Sequence, residues 1–237
     1  MERVRRRSMR LLAFNNQPVY SEIMQLDTSS VVTVRKRGRP PRPDPAYGTS
    51  RAALIRVGVA LLSEKGYLAT GLEEVLRNAG VPKGSFYHYF ASKDVFGSEL
   101  IEAYAAYFAR KLDRWLLDES AAPIQRIRNF VADAKAGMAR YEFRRGCVIG
   151  NLGQEMSALP EIFRDCLHGV LLDWQARTER CLRDAQAAGE IAADADCAAL
   201  AAFFWIGWEG AVLRAKLERS PEPLDLFATQ FLTSLAR

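Results

Sequence analysis

The stretch Val81 to Phe90, VPKGSFYHYF, decides how the rest of this chain is read. As a helix beginning at Lys83, it sets Phe86, Tyr89 and Phe90 at i, i+3 and i+4, so three rings share one face. Lys83, Gly84, Tyr87 and His88 then fall on the opposite arc. The first face is suited to a core. The second carries what a helix that reads nucleic acid needs: donors for phosphate oxygens and base edges, around a glycine that lets the backbone come close. A small aromatic surface helix would have the same arc, so the flanking residues must decide between the two.

Upstream, Thr70-Gly71-Leu72-Glu73 fits the capping box, in which a threonine hydroxyl takes an orphan amide and a glutamate reaches back. A helix is therefore expected from near Leu72 to about Asn78, with Gly80 as a left-handed stop and Pro82 opening the next helix. Two short helices across a turn make a helix-turn-helix. The whole span Gly66 to Phe96, GYLATGLEEVLRNAGVPKGSFYHYFASKDVF, resembles the DNA-binding signature of the TetR family of bacterial repressors. Pro82 departs from that pattern, standing where many members carry a serine or threonine cap. The resemblance implies an all-α homodimer that binds a double-stranded DNA operator. To Lys83, Gly84, Tyr87 and His88 it adds Thr70, Ser85 and Lys93 as DNA contacts, Lys93 at the positive end of its helix.

The chain has 237 residues, enough for one small and one larger domain, and its 49% hydrophobic content can fill both cores. The formal charge of +5 is unevenly placed: residues 1 to 47 hold ten Lys/Arg against four Asp/Glu, a net +6 that leaves −1 for the remainder. No apolar run approaches the length of a membrane span and no continuous apolar segment follows the N-terminal basic residues, so the expectation is a cytoplasmic protein with no membrane partner. Cys147, Cys166, Cys181 and Cys197 are widely separated, with no C-x-x-C pair and no histidine at zinc-ligand spacing. They read as reduced thiols, and neither metal nor cofactor is expected. With two histidines, one of them on the DNA-facing arc, no nucleophile–base set stands out and an enzyme is disfavoured.

Taken in order, residues 1 to about 34 show no period; they read as an extension or as upstream of a later start such as Met24. Arg35 to Pro43 is too rich in proline and charge to pack, and its Arg37-Gly38-Arg39-Pro40 resembles an AT-hook, in which arginines lie in a narrow minor groove. The division expected is a basic arm over 1–47, a helix-turn-helix domain over 48–95, and a helical ligand-binding and dimerisation domain over 96–237. Ser50 to Lys65 reads as a bracing helix. Another starts at the N-cap Ser92, with a stripe of Phe96, Leu100, Tyr104, Tyr107, Phe108, Lys111, Leu112 and Trp115, and is long enough to act as a lever into the second domain. Beyond Pro123 the pattern is helical throughout. One helix, around Phe203 to Leu213, is apolar on nearly every side and needs cover on every side, from its own core and from a second subunit.

Phe143 to Glu155, FRRGCVIGNLGQE, is unusual for a bundle helix, with three glycines and an Asn/Gln/Glu set in an apolar domain. Together with Trp205-Ile206-Gly207-Trp208-Glu209 it resembles members of the family that respond to acrylate and, more distantly, to reactive electrophiles. That resemblance implies a small-molecule effector, a small unsaturated acid or related electrophile. Cys147, with Arg144 or Arg145 beside a helix start, is the candidate thiolate for covalent sensing; reversible binding is the other course, with Cys147 then a small buried hydrophobe. Tyr107, Lys111, Asn151, Gln154, Trp205, Trp208 and Glu209 are the further candidates for a cavity wall, although aromatics at this spacing also suit a plain core.

Overall fold

The computed structural model describes residues 46–235; Arg37, Arg39 and the AT-hook-like segment lie outside the described residues. Among those described the chain is all-α, as expected, with no strand. The order is α1 (Ala46–Lys65), α2 (Leu72–Ala79), a 3-10 turn (Lys83–Ser85) running into α3 (Phe86–Tyr89), α4 (Lys93–Leu116), α5 (Pro123–Ala139), α6 (Val148–Gln154) with a 3-10 turn (Met156–Ala158), α7 (Ile162–Ala187), α8 (Cys197–Glu218) and α9 (Glu222–Leu235).

The turn between α2 and α3 is set by backbone chemistry. Gly80 adopts φ 66°, which a side chain would resist, and its amide donates to Arg77 O. The Val81 amide donates to Leu76 O at 3.0 Å, and both of these side chains are buried, which completes a Schellman stop. The capping box expected at Thr70 does not form. Thr70 is buried and its hydroxyl donates to Gly66 O at 2.6 Å, while Gly71 takes the N-cap position and Glu73 faces outward to an ion pair with Lys83. The hydroxyl serves the end of α1 because that carbonyl, once buried, has greater need of a partner than an exposed amide has.

The reading helix is shorter than the sequence suggests, with its first turn in 3-10 geometry. It is anchored by Phe86 and Phe90, both fully buried, whose rings lie 5.4 and 4.6 Å from that of Phe96 on α4. Tyr89, on the same face, is half-buried. The Ser92 hydroxyl caps α4, accepting from the Val95 amide at 3.1 Å. Phe96, Leu100, Tyr104, Phe108, Leu112 and Leu116 then bury one stripe along the length of α4, from the head into the bundle.

The bundle centre is aromatic: Phe108 and Trp174 rings lie 4.4 Å apart, and Trp174 and Trp205 4.8 Å. α8 crosses this core, burying Ala201, Phe204, Trp205, Trp208, Ala211, Val212 and Ala215. By length and composition α8 could cross a membrane, with a mean hydropathy of 1.3, which corrects the expectation that no apolar run comes near that length. Its apolar content serves packing: Ala201, Phe204, Trp205 and Trp208 face the core, and Phe203, Ile206, Leu213 and Leu217 emerge on the other side.

Because Phe86 fills a closed site between α3 and α4, Phe86→Ala is expected to destabilise the head by about 3–5 kcal/mol. A lowered denaturation midpoint for the first unfolding transition checks this.

Candidate functional site

On the outer surface of the head, Lys83, Gly84, Tyr87 and His88 are exposed and Ser85 is half-buried, so one short segment presents all five. Tyr87 is 68% exposed, unusual for a large ring and apt for stacking or hydrogen bonding with a partner. Lys83 is held by Glu73, a pair exposed on both sides that phosphate can displace at little cost. Lys93, at the start of α4, places its ammonium 4.5 Å over the Tyr67 ring. Thr70 differs from the rest: its hydroxyl is buried and committed to Gly66 O, so it offers DNA nothing directly and instead shapes the turn.

The head is joined to the bundle by more than the lever helix. At the end of α1 the carbonyls of Leu62 and Ser63 accept from Asn151 Nδ2 at 2.8 and 2.9 Å, and Ser63 O also accepts from the Gly146 amide at 2.8 Å. Just beyond, Glu155 Oε2 accepts from the amides of Tyr67 and Leu68 at 2.9 and 3.1 Å. The Tyr67 phenol in turn donates to Asp94 at 2.8 Å, at the start of α4. The polar segment after α5 therefore clamps the C-terminal end of α1, and through Tyr67 reaches the first turn of the lever. Sequence marked the segment as odd, but spacing could not show that its partners lie on a helix nearly ninety residues earlier.

Behind this clamp lies a cavity of about 90 Å³, walled by α1, α4, α5, α8 and the loop before α6. Its polar lining is Ser63, Tyr104, Tyr107, Lys111, Tyr141, Arg145, Cys147 and Glu209, set among apolar groups including Trp208 and Met138. A space of this size has room for a small ligand. A second cavity, of about 210 Å³, lies beyond Glu209 and Cys147 and adds Asn151, Gln154 and Lys216, with Ile206, Gly210 and Leu213 at its mouth. Glu209 and Cys147 line both spaces. Trp205 lines neither: it is fully buried with its indole N–H donated to Thr178 Oγ1 at 3.0 Å, and is core. Tyr104 and Arg145 are wall residues that the pattern assigned elsewhere, Tyr104 to an apolar stripe and Arg145 to thiol activation.

The electrostatics of the wall are unusual. Lys111 pairs with Asp133 at 2.8 Å, and Arg145 stacks 4.1 Å over the Tyr141 ring with Glu64 at 3.8 Å. Arg144 pairs with Glu142 at 3.2 Å. Neither arginine is therefore set to activate Cys147, contrary to the expectation. Burial, and then the Glu209 carboxylate beside it, push the Cys147 thiol well above the ordinary thiol range, although the Gly150 amide donates to its sulfur at 3.5 Å. Burial likewise pushes up Tyr104, and lifts the Glu209 carboxyl to about 7.

A helix-turn-helix head with donors on its outer face, tied through a long helix and a polar clamp to a helical bundle with a small cavity, defines a DNA-binding transcriptional regulator. Residues 54–100 match the family described as bacterial regulatory proteins, tetR family, and residues 123–231 match the tetracyclin repressor-like C-terminal domain; the chain belongs to the TetR family. It is similar to the transcriptional regulator AcuR of Cereibacter sphaeroides, 56% identical over 202 residues that span 85% of this chain and 92% of that one. The HTH-type transcriptional repressor NemR of Escherichia coli is a more distant relative, 29% identical over 74% of this chain and 88% of its own. The crystal structure of the regulatory protein TetR from Rhodobacter sphaeroides superposes with a TM-score of 0.77 at 58% identity, covering 78% of this chain and 97% of that one.

Cys147 is expected to alkylate at least tenfold more slowly than the half-buried Cys166 in native protein near pH 8, and at a similar rate in denaturant. Time-resolved mass spectrometry of iodoacetamide labelling reads both rates.

Proposed function

We propose that this protein is a homodimeric, ligand-responsive repressor that leaves a palindromic operator when a small unsaturated acid, of which acrylate is the type, fills the inner cavity. In this reading residues 1–47 form a basic arm with minor-groove contacts from Arg37 and Arg39, residues 48–95 the DNA-binding domain, and residues 96–237 the ligand-binding and dimerisation domain. It acts in the cytoplasm, where the DNA is. Lys83, Gly84, Ser85, Tyr87 and His88 enter the major groove and Lys93 meets a phosphate, with half-sites one helical turn or a multiple apart.

The observation that carries the proposal is the continuity of cavity wall and head. Ser63 lines the cavity and, as part of α1, accepts from Asn151 and Gly146; Tyr104, Tyr107 and Lys111 line it from the lever helix. A ligand that moves either wall changes how the head sits, and its affinity difference between the two arrangements sets how far DNA binding falls. The exposed apolar row Phe203, Ile206, Leu213 and Leu217 supports the dimer, since such a patch is uncommon on a free surface. Lys111 and Arg145 in the wall favour an anion. The raised Cys147 thiol favours reversible binding over attack by a thiolate.

A mobility shift on DNA upstream of the protein's own gene, with and without acrylate, tests this: a specific complex that acrylate dissolves is expected, and equal binding to scrambled DNA with the same salt slope would overturn it. Cys147→Ser is expected to keep the response, whereas loss of it with folding intact would favour covalent sensing. Lys83→Ala is expected to weaken operator binding and lower the salt slope by about 1. Asn151→Ala is expected to bind acrylate and operator separately, yet with a smaller effect of one on the other, read by titrating each in the presence of the second.

A further inference from the structure

Glu209 is the group in the inner cavity that recognition of an acid leaves unexplained, because it brings a carboxyl into a site read as holding a carboxylate. Its Oε2 has no accessible surface and no hydrogen-bond partner among the described residues. Buried native carboxyl oxygens are rarely left so, and the cost of such an orphan is recovered when a ligand supplies the partner. The space is specifically made: a Cβ at Gly150 would collide with Glu209 Oε2, so the carboxyl occupies room that only glycine leaves at that turn of α6. Glu209 is also a wall residue of both cavities, with Oε2 turned against Gly150.

The charged and titratable groups around it do not neutralise it. From α4 come Tyr104, Tyr107 and Lys111, the last paired with Asp133 at 2.8 Å. Tyr141, Arg145 and Cys147 face the cavity from the end of α5 and the following loop, Arg145 lying 3.8 Å from Glu64 and stacked on Tyr141. From α8 itself Lys216 lines the outer space, with its ammonium 3.4 Å from Asn151 Oδ1. None of these cations pairs with Glu209 among the described residues.

We propose that Glu209 enters the effector complex as a carboxylic acid and donates its proton to a hydrogen bond with the ligand's carboxylate, which makes it a specificity-determining residue for small monocarboxylic acids and ties their binding to uptake of one proton. The inference rests on the assignment of the inner cavity as the effector site. A carboxylic acid facing a carboxylate forms a short, charge-assisted O–H···O bond, whereas two carboxylates at that distance repel and one of them must take a proton. Burial supports the same state, since it lifts Glu209 to about 7, offset in part by its hydrogen bond with the Cys147 side chain. The sign follows. Well below 7 the free protein already carries the proton, so binding takes up none and affinity is flat. Above 7 each complex takes one proton from solution, and affinity falls about tenfold per pH unit until the bound carboxyl itself ionises.

The test is calorimetric titration of acrylate into the full-length protein, in phosphate and in Tris, at about pH 6 and about pH 8. The difference in apparent enthalpy between the buffers counts protons. Near-zero uptake at the lower pH and nearly one proton at the higher are expected, with affinity weaker at the higher pH. Acrylamide, a neutral analogue of the same shape, is expected to show no such uptake. Glu209→Gln is expected to abolish the uptake and flatten the pH profile, with its thermal unfolding confirming the fold. Acrylate binding without uptake at either pH would sink the role of Glu209 and leave the effector site standing. Uptake that persists in Glu209→Gln would assign the proton elsewhere and equally overturn the proposal. Absence of acrylate binding at both values would instead remove the effector-site assignment, and the inference with it.

Discussion

The last carbonyls of α1 are the constraint on which the arrangement depends. An α-helix leaves its final carbonyls without intrahelical donors, and a helix end buried between two parts of a protein must find them elsewhere. Here Ser63 O takes its donors from Asn151 and from the Gly146 backbone, Leu62 O accepts from Asn151 as well as from the Gly66 amide, and Gly66 O takes Thr70. Asn151 and Gly146 both belong to the polar segment after α5. The head therefore cannot be shifted against the bundle without either breaking buried hydrogen bonds or moving that segment too. Together with the continuous apolar stripe of α4, this gives two connections between the head and the cavity, one polar and one packed.

Polar residues in this segment exact a penalty in helix stability, and the structure shows what offsets it. Asn151 makes two bonds to backbone, Glu155 accepts two amides, and Gly150 lets Glu209 come close. A fully apolar version would pack well but lose the side-chain bonds to Leu62 O and Ser63 O and to the Tyr67 and Leu68 amides. The same segment forms one wall of the cavity through Gly146 and Cys147, so the residues that satisfy the joint also adjoin the space where a ligand would lie.

α8 shows the second consequence of packing. Its inward face interlocks with Phe130, Trp174 and the α9 aromatics, while its outward face carries Ile206 at 73% exposed and Leu217 at 79%. A helix with apolar residues on both sides reads the same in sequence whether its cover is lipid, a core or another chain. The bundle accounts for one side only. The mouth of the outer cavity, at Ile206, Gly210 and Leu213, opens onto the uncovered side.

Much of the fold was legible locally. Gly80 with Val81 and Leu76 stops α2, Ser92 starts α4, and the spacing of Phe86 and Phe90 turns the reading helix inward, because each depends on neighbours within a few residues. The outward set Lys83, Tyr87 and His88 followed from the same periodicity. What local pattern missed are side chains whose partners are distant. Thr70 reads as a cap and is spent on Gly66 O; Trp205 reads as a cavity ring and is core through Thr178; Arg145 reads as an activator of Cys147 and faces Tyr141 and Glu64. The protonation of Cys147 and Glu209 was likewise beyond reach, because it is governed by burial, and burial is a property of the assembled core. The amino-acid sequence by itself determined an all-helical regulator with a DNA-facing head, since periodicity, caps and turn residues act over one or two helical turns. Only the tertiary structure decided which polar groups meet at the joint and which carboxyl oxygen is buried without a partner at the cavity wall, since those depend on contacts between helices far apart in the chain.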